Sequence, residues 1–391
     1  MIASLLDTDL YKLSMQQAVL EHYPDVKVTY QFKNRGEHRF TTDFIVAIEA
    51  AIEDMGRLSL TAEEKHYLST LGFFKTPYLE YLANYKFNPD EVFVSLSPED
   101  DLQILIGGPW HSTILWEVPL MALISELYFK HLSIDEVDTY NKAQDKSKAL
   151  AFLGEEPPLP VSCMFAEFGT RRRRSRNAQN IVLRGLMDGS KGLVPRHFIG
   201  TSNVRLAMAH GIRPIGTMAH EWIMGVSALE SLRYANRSAL HKWKDTYRAD
   251  LGIALTDTFG TDAFFKDFDL ELAKVYDGVR HDSGDPIAFG EKVISGYQKL
   301  GINPKHKTII FSDGLNVHKC QVIQHNFAGR IKIAFGIGTH LTNDFDDAKA
   351  LNMVIKLRTV SGIPVVKISD EPGKETGEEK AIEVAKWTFG L

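Results

Sequence analysis

From residue 161 onward the chain repeats one arrangement: a short β-prone run, then a polar cluster, then in several intervals a helical pattern. The runs are Cys163–Glu167, Arg196–Gly200, Pro214–Thr217, Ile253–Thr256, Gly278–Arg280, Thr308–Phe311 and Ile331–Phe335. Helical patterning is clearest over Gly225–Asp250 and Phe289–Leu300. Strand, helix, strand in this rhythm predicts parallel βαβ units, which cross over right-handed and close readily into a barrel. The clusters are Phe168-Gly169-Thr170-Arg171, Thr201-Ser202-Asn203, His220-Glu221, Asp257-Thr258, His281 to Asp285, Ser312-Asp313-Gly314 and Gly336 to His340. In a (β/α) barrel all strand C-termini open onto one rim, so these clusters would converge on one site. Turn chemistry accounts for Gly and Ser after strands, but poorly for repeated Asp, His and Arg.

The first third reads as mixed α and β. Leu10, Leu13, Gln17 and Leu20 share one helical face, which predicts a helix over 9–22 with Thr8 or Asp9 as cap. Alternation at Val28, Tyr30 and Phe32, at Val92–Leu96 and at Leu102–Ile106 predicts strands, the last two joined as a hairpin through Ser97–Asp100. Helical patterning fills 44–85 and 117–150, and the Pro-rich stretch 153–160 marks a boundary. Near the C-terminus, Met353, Ile355 and Leu357 alternate, Ser361-Gly362 turns, and Val365, Lys367 and Ser369 answer as a hairpin that would rejoin the N-terminal sheet. The expected fold is therefore α/β: an irregular (β/α) barrel over 156–349, beside an α+β domain made of 1–155 and completed by about 350–391.

Several classes are excluded. A net charge of −5 gives no chain-wide reason to bind nucleic acid or a membrane, and two cysteines build neither a disulfide framework nor a thiolate zinc cage. Asp7 and Asp9 interrupt any leader-like stretch, and no apolar run approaches the ~18 residues of a span, so a cytoplasmic address is expected. No GxxxxGK[ST] occurs, Gly336-Ile337-Gly338 lacks the third glycine of a dinucleotide fingerprint, and Met224 stands where a zincin needs its second histidine.

The rim inventory instead suits an anionic, phosphorylated sugar held with Mg²⁺. Ser312-Asp313-Gly314 and Gly336-Ile337-Gly338-Thr339 are small-residue loops that let backbone N–H groups approach phosphate, as late barrel strands often do. Arg171 and Arg280 add forked cations, while Asp257, Asp282 and Asp285 offer oxygen to ribose hydroxyls or a hard cation.

Taken with Asp7-Thr8-Asp9-Leu10-Tyr11-Lys12, Glu167 to Arg171, Gly200 to Asn203, Gly216 to Trp222, Arg280 to Asp285, Phe311 to Gly314 and Phe335 to Thr339, the chain resembles the nicotinate phosphoribosyltransferase family from residue 7 to about 380. The resemblance implies that nicotinate and 5-phosphoribosyl 1-pyrophosphate give nicotinate mononucleotide and pyrophosphate, the first step of NAD salvage from nicotinate. It also implies ATP as co-substrate, with transient phosphorylation of His220. By the same resemblance Phe168 stacks on the substrate ring, and Tyr11 with Asp9 reaches in from the neighbouring subunit of a homodimer. Thr170 then binds substrate, Arg171 lies near base and phosphate, Asp257, Arg280 and Asp282 surround the ribose, and Ser312, Asp313, Gly314, Gly336, Gly338 and Thr339 hold phosphate. Ser202 would set the choice of nicotinate, since relatives using nicotinamide tend to carry aspartate there.

Neither the metal ligands nor the ATP site follows from the residues. Asp257 and Asp313 could equally be helix N-caps. The run Arg171-Arg172-Arg173-Arg174-Ser175-Arg176 reads either as a nucleic-acid tract or as a helix start, with Arg171 inward and others solvated or salt-bridged. Lys12 and Lys367 acquire no role. A quinolinate-type barrel transferase and a basic-tract nucleic-acid binder are the competing readings.

Overall fold

The computed structural model describes residues 1–132, 136–150, 163–188 and 198–391. The boundary stretch 153–160 lies outside them.

Two sheets organise the described residues. The first is antiparallel and five-stranded, ordered β11 (Ile363–Pro364), β10 (Met353–Val360), β1 (Lys27–Asn34), β3 (Leu102–Pro109), β2 (Val92–Leu96). Strands β1 and β3 bury alternate residues, as a sheet covered on one face must. The C-terminal hairpin rejoins this sheet as expected, with Phe32 opposite Ile355. Its returning arm differs: β11 ends after two residues, and 365–370 turns away toward the second sheet. There Ile368 N–H donates to Thr258 O at 2.7 Å and Asp370 N–H to Ser283 Oγ at 3.1 Å.

The second sheet is parallel and six-stranded: β5 (Phe198–Thr201), β4 (Met164–Glu167), β9 (Lys332–Ile337), β8 (Thr308–Phe311), β7 (Gly278–His281), β6 (Ile253–Leu255). Neighbours follow chain order from β6 to β9, and β9 then pairs with β4, the winding of a barrel. The predicted strand 214–217 does not form. Pro214 lacks an N–H, and a Cβ on Gly216 would lie 2.9 Å from both Leu10 Cβ and Tyr11 N. This segment spans the gap between β5 and β6 with fewer bonds: Ile215 N–H donates to Thr201 O at 2.8 Å, and Thr217 Oγ1 to Leu251 O at 2.7 Å. The start of helix Leu10–His22 is pressed into that gap, where Leu10 N–H donates to Ser202 O at 2.8 Å. The packing brings Asp9 and Tyr11 to the barrel rim.

The pattern over 225–250 resolves into two helices, His220–Leu229 and Ala235–Tyr247. The stretch Trp110–His131, with mean hydropathy 1.2, is long and apolar enough to cross a membrane, contrary to the expectation from apolar runs. Because 83% of it is buried inside the protein, it serves as the core helix beneath the first sheet.

Candidate active site

Phe168, Ser202, Asp282, Ser312 and Gly338 each directly follow a strand of the parallel sheet, and Asp257 follows β6 by two residues. Their shared rim opens into three adjoining cavities of about 710, 60 and 100 Å³, and Arg171 and Arg280 line all three.

At the centre, His220 Nε2 lies 3.0 Å from Asp282 Oδ2 and 3.6 Å from Asp257 Oδ1, while Nδ1 lies 3.1 Å from Thr258 Oγ1. Burial, with Lys367 nearby, pushes the imidazole pKa down to about 4, so the ring is neutral near pH 7. Two ionised carboxylates only accept, so Nε2 carries the proton and Nδ1 accepts from Thr258. Burial works to raise both aspartates. Arg280 outweighs it at Asp282, held well below the usual carboxylate range, and His220 with Lys367 does so at Asp257. Arg280 Nη2 donates to Asp282 Oδ1 at 2.7 Å and Nε to Ser312 Oγ at 2.8 Å.

The largest cavity is strongly cationic, lined by eight Lys and Arg side chains against three Asp. Ser312, Asp313, Gly314, Gly336, Gly338 and Thr339 all face it. Sequence reasoning missed most of its cations. Lys367 stands 3.0 Å from Asp257 Oδ2, Lys374 lies 3.6 Å from Asp313 Oδ2, and Arg35, Lys349 and Lys356 complete the wall. In β10 the apolar alternation Met353, Ile355, Leu357 hid the opposite face, on which Val354 and Lys356 look into the cavity. The Lys356 ammonium has no ion pair or hydrogen bond among the described residues, and burial lowers its pKa to about 8. Anion binding by the free enzyme should therefore weaken above that pH. We expect kcat/KM for the phosphorylated sugar to fall there, and Lys356→Arg, which stays charged, to flatten the fall. Superimposable pH profiles would remove Lys356 from the site.

The 100 Å³ chamber is a mostly apolar slot inside the barrel, with Phe168 and Ile310 among its walls and Asp9, Tyr11, Ser202 and the two arginines at its polar end. Asp9 and Tyr11, expected from a neighbouring subunit, stand in the pocket of their own chain because the helix they begin fills the barrel gap. The Ser202 hydroxyl already donates to Asp9 Oδ1 at 2.7 Å. Burial raises the Asp9 pKa. Thr170 lines none of the three cavities. Its hydroxyl accepts from Gln179 Nε2 at 3.1 Å within the 3-10 turn, fully buried. Gly336 also makes room for a ring, since a Cβ there would sit 2.3 Å from Phe168 Cδ2. Neither Asp257 nor Asp313 caps a helix; Gly260 and Asn316 occupy those N-cap positions.

The arginine run divides by packing. Arg171 enters the cavities, and Arg172 Nη2 donates to Met353 O at 2.9 Å. Arg173 is fully buried against Asp7 and Glu126. Arg174 pairs with Asp347 at 2.8 Å and covers the Phe129 ring at 4.0 Å. The helix begins only at Arg176. A row of phosphate-facing cations is thereby excluded.

Residues 163–391 match the nicotinate phosphoribosyltransferase (NAPRTase) family, and residues 6–125 match its N-terminal domain. The chain belongs to the nicotinate phosphoribosyltransferase family. The nicotinate phosphoribosyltransferase of Methanosarcina mazei is 49% identical, with 100% of this chain and 98% of that protein covered. That of Escherichia coli O9:H4 is 44% identical over 97% of this chain and 93% of the relative. Crystal structures of nicotinate phosphoribosyltransferases from Porphyromonas gingivalis and Vibrio cholerae superpose with TM-scores of 0.93 and 0.89. They are 37% and 38% identical to this chain, cover all of it, and are themselves covered to 100% and 94%. Such agreement over both sheets supports the α/β fold with its parallel and antiparallel sheets and places the chain among phosphoribosyltransferase enzymes of NAD biosynthesis.

Proposed function

We propose that this chain transfers the phosphoribosyl group of 5-phosphoribosyl 1-pyrophosphate to nicotinate, giving nicotinate mononucleotide and pyrophosphate, with ATP hydrolysed to ADP and phosphate through His220. The observation that carries this reading is the neutral His220, flanked by Asp257 and Asp282, beside a cationic cavity that adjoins an apolar slot. The slot suits a flat pyridine ring, with Arg171 and Arg280 placed to meet its carboxylate. The ring nitrogen attacks C1 of the ribose as the bond from C1 to pyrophosphate breaks. Arginine and lysine side chains and the Ser312–Gly314 and Gly338–Thr339 loops take up the departing charge.

The energy step begins when a neutral imidazole nitrogen attacks the γ-phosphorus, and the bond to ADP breaks. Asp257 and Asp282 stabilise the positive charge that the ring acquires. Water later cleaves the P–N bond and releases phosphate. Mg²⁺ fits the same pair of aspartates, because Asp257 Oδ1 is buried without a hydrogen-bond donor and hard cations take carboxylate oxygen. When bound there, it would neutralise phosphate charge. Within one chain Asp9 and Tyr11 already line the slot, and the proposal keeps the homodimer that the resemblance implies. The proposal keeps the division into 1–155 with 350–391 and 156–349, and a cytoplasmic setting agrees with two unpaired buried thiols.

Product analysis tests the reading. Nicotinate and the activated sugar should give the mononucleotide, with ATP raising the rate and ADP appearing. Product without any ATP effect, or turnover of quinolinate with release of carbon dioxide, would refute it.

A further inference from the structure

One buried lysine bridges a carboxylate next to Arg171 of the slot and a carboxylate that directly follows His220. Lys12 is fully buried, its ammonium 2.5 Å from Glu117 Oε2 and bonded to Glu221 Oε2. It directly follows Tyr11, which lines the slot, and Glu221 directly follows His220. Glu117 in turn lies 3.6 Å from Arg171 Nη1. Glu221 is further held by Tyr30 Oη at 2.5 Å and Trp110 Nε1 at 2.8 Å. Tyr11, Glu117, Arg171, His220 and Glu221 all line the 60 Å³ chamber behind the main cavity. Lys12 and Arg171 thus stand against Glu117 and Glu221, with Arg280, Asp282 and Lys356 on the chamber's other walls.

This set of pairings forms around an uncharged His220. Burial opposes charge on Lys12 and on Glu117, yet their mutual attraction keeps both ionised. A phosphoryl group at His220 adds about 1.5–2 negative charges to the chamber that His220 and Glu221 both line. In a low-dielectric interior that charge draws Lys12 toward the Glu221 side and loosens its hold on Glu117. Glu117 then pairs more strongly with Arg171, which lines the slot.

We propose that Lys12, shared between Glu117 and Glu221, is the positioning residue through which phosphorylation of His220 tightens the nicotinate slot. The inference rests on the phosphohistidine reading given above and deepens it. It places one ammonium between two carboxylates, one beside Arg171 of the slot and one directly following His220, a link that both sites can bias.

The test uses the full-length enzyme with γ-labelled ATP and nicotinate. Three quantities are measured: label on the protein, the ratio of nicotinate KM without and with ATP, and ATP consumed per mononucleotide formed. Glu221→Gln removes the charge that Lys12 follows, and Tyr30→Phe removes one hydroxyl from the same carboxylate. Both should still take label. Glu221→Gln should lose most of the ATP-dependent change in KM and consume more than one ATP per product, with Tyr30→Phe shifted in the same direction. Lys12→Arg, which keeps the charge, should retain more of the coupling than Lys12→Met. Label present with the wild-type KM ratio in Glu221→Gln overturns the proposal alone. Should that variant fail to fold, an unchanged ratio in Tyr30→Phe does the same. Absence of label from the wild-type enzyme overturns the phosphohistidine reading, and this inference with it.

Discussion

His220→Ala should abolish acid-labile, base-stable phosphoryl label and, with it, all stimulation by ATP. The loss should be specific, because transfer to nicotinate draws on Arg280, Arg171 and the phosphate loops, which the substitution leaves in place. A residual, ATP-independent rate is therefore expected. The lost stimulation corresponds to a coupling of about 1–3 kcal/mol, roughly 5–150-fold in affinity. The pH dependence adds a second signature. The folded pKa of about 4 lies below the ordinary value of 6.5, so the folded state resists protonation relative to the unfolded chain. Stability from this group is present above pH 6.5 and is lost as pH falls from 6.5 toward 4. Labelling rate should stay level from neutral pH downward and drop only near 4, and acid sensitivity should be reduced in the alanine variant. Stoichiometric label on His220→Ala would dismiss the assignment.

Arg173→Met should destabilise the protein by about 3–5 kcal/mol, because it takes the buried cation from two buried carboxylates and leaves Asn203 and Arg176 at Asp7 and the N-terminus at Glu126. Arg173 donates to both Asp7 oxygens at 2.7 and 2.9 Å and to Glu126 at 2.9 Å, with no exposed surface. Arg176, 3.7 Å from Asp7 and 31% exposed, should cost under about 1 kcal/mol when changed to alanine. Urea unfolding of the two variants separates the cases. Adding Asp7→Asn and Glu126→Gln to Arg173→Met should restore part of the loss. Equal, small effects for both arginines would mean a solvated tract, contrary to the packing.

Local sequence carried much of the site. Phe168, Ser202, Asp257, Asp282 and Ser312 were legible because they follow β-prone runs, and the parallel sheet then sets them on one rim. Segment 214–217 reads as a strand by its short β-prone run, but Pro214 has no N–H to give and the helix start packed on Gly216 takes the place of a pairing neighbour. Asp9 and Tyr11 were sent to another subunit, although the barrel gap between β5 and β6 admits their own helix.

What the amino-acid order determined alone was the rhythm of strands and helices and the polar residues that punctuate it, since periodicity and turn chemistry act over a few residues. Tertiary structure alone decided the pairing of charges. Four adjacent arginines look alike on paper, yet one lines all three cavities, one edges the largest while tying down a strand carbonyl, and two are structural ion pairs. Lys356 and Lys367 reach the rim only because a C-terminal hairpin crosses from one sheet to the other. Coulomb partners and burial are set by groups far away in sequence, so the worth of a charge is known only once the chain has folded.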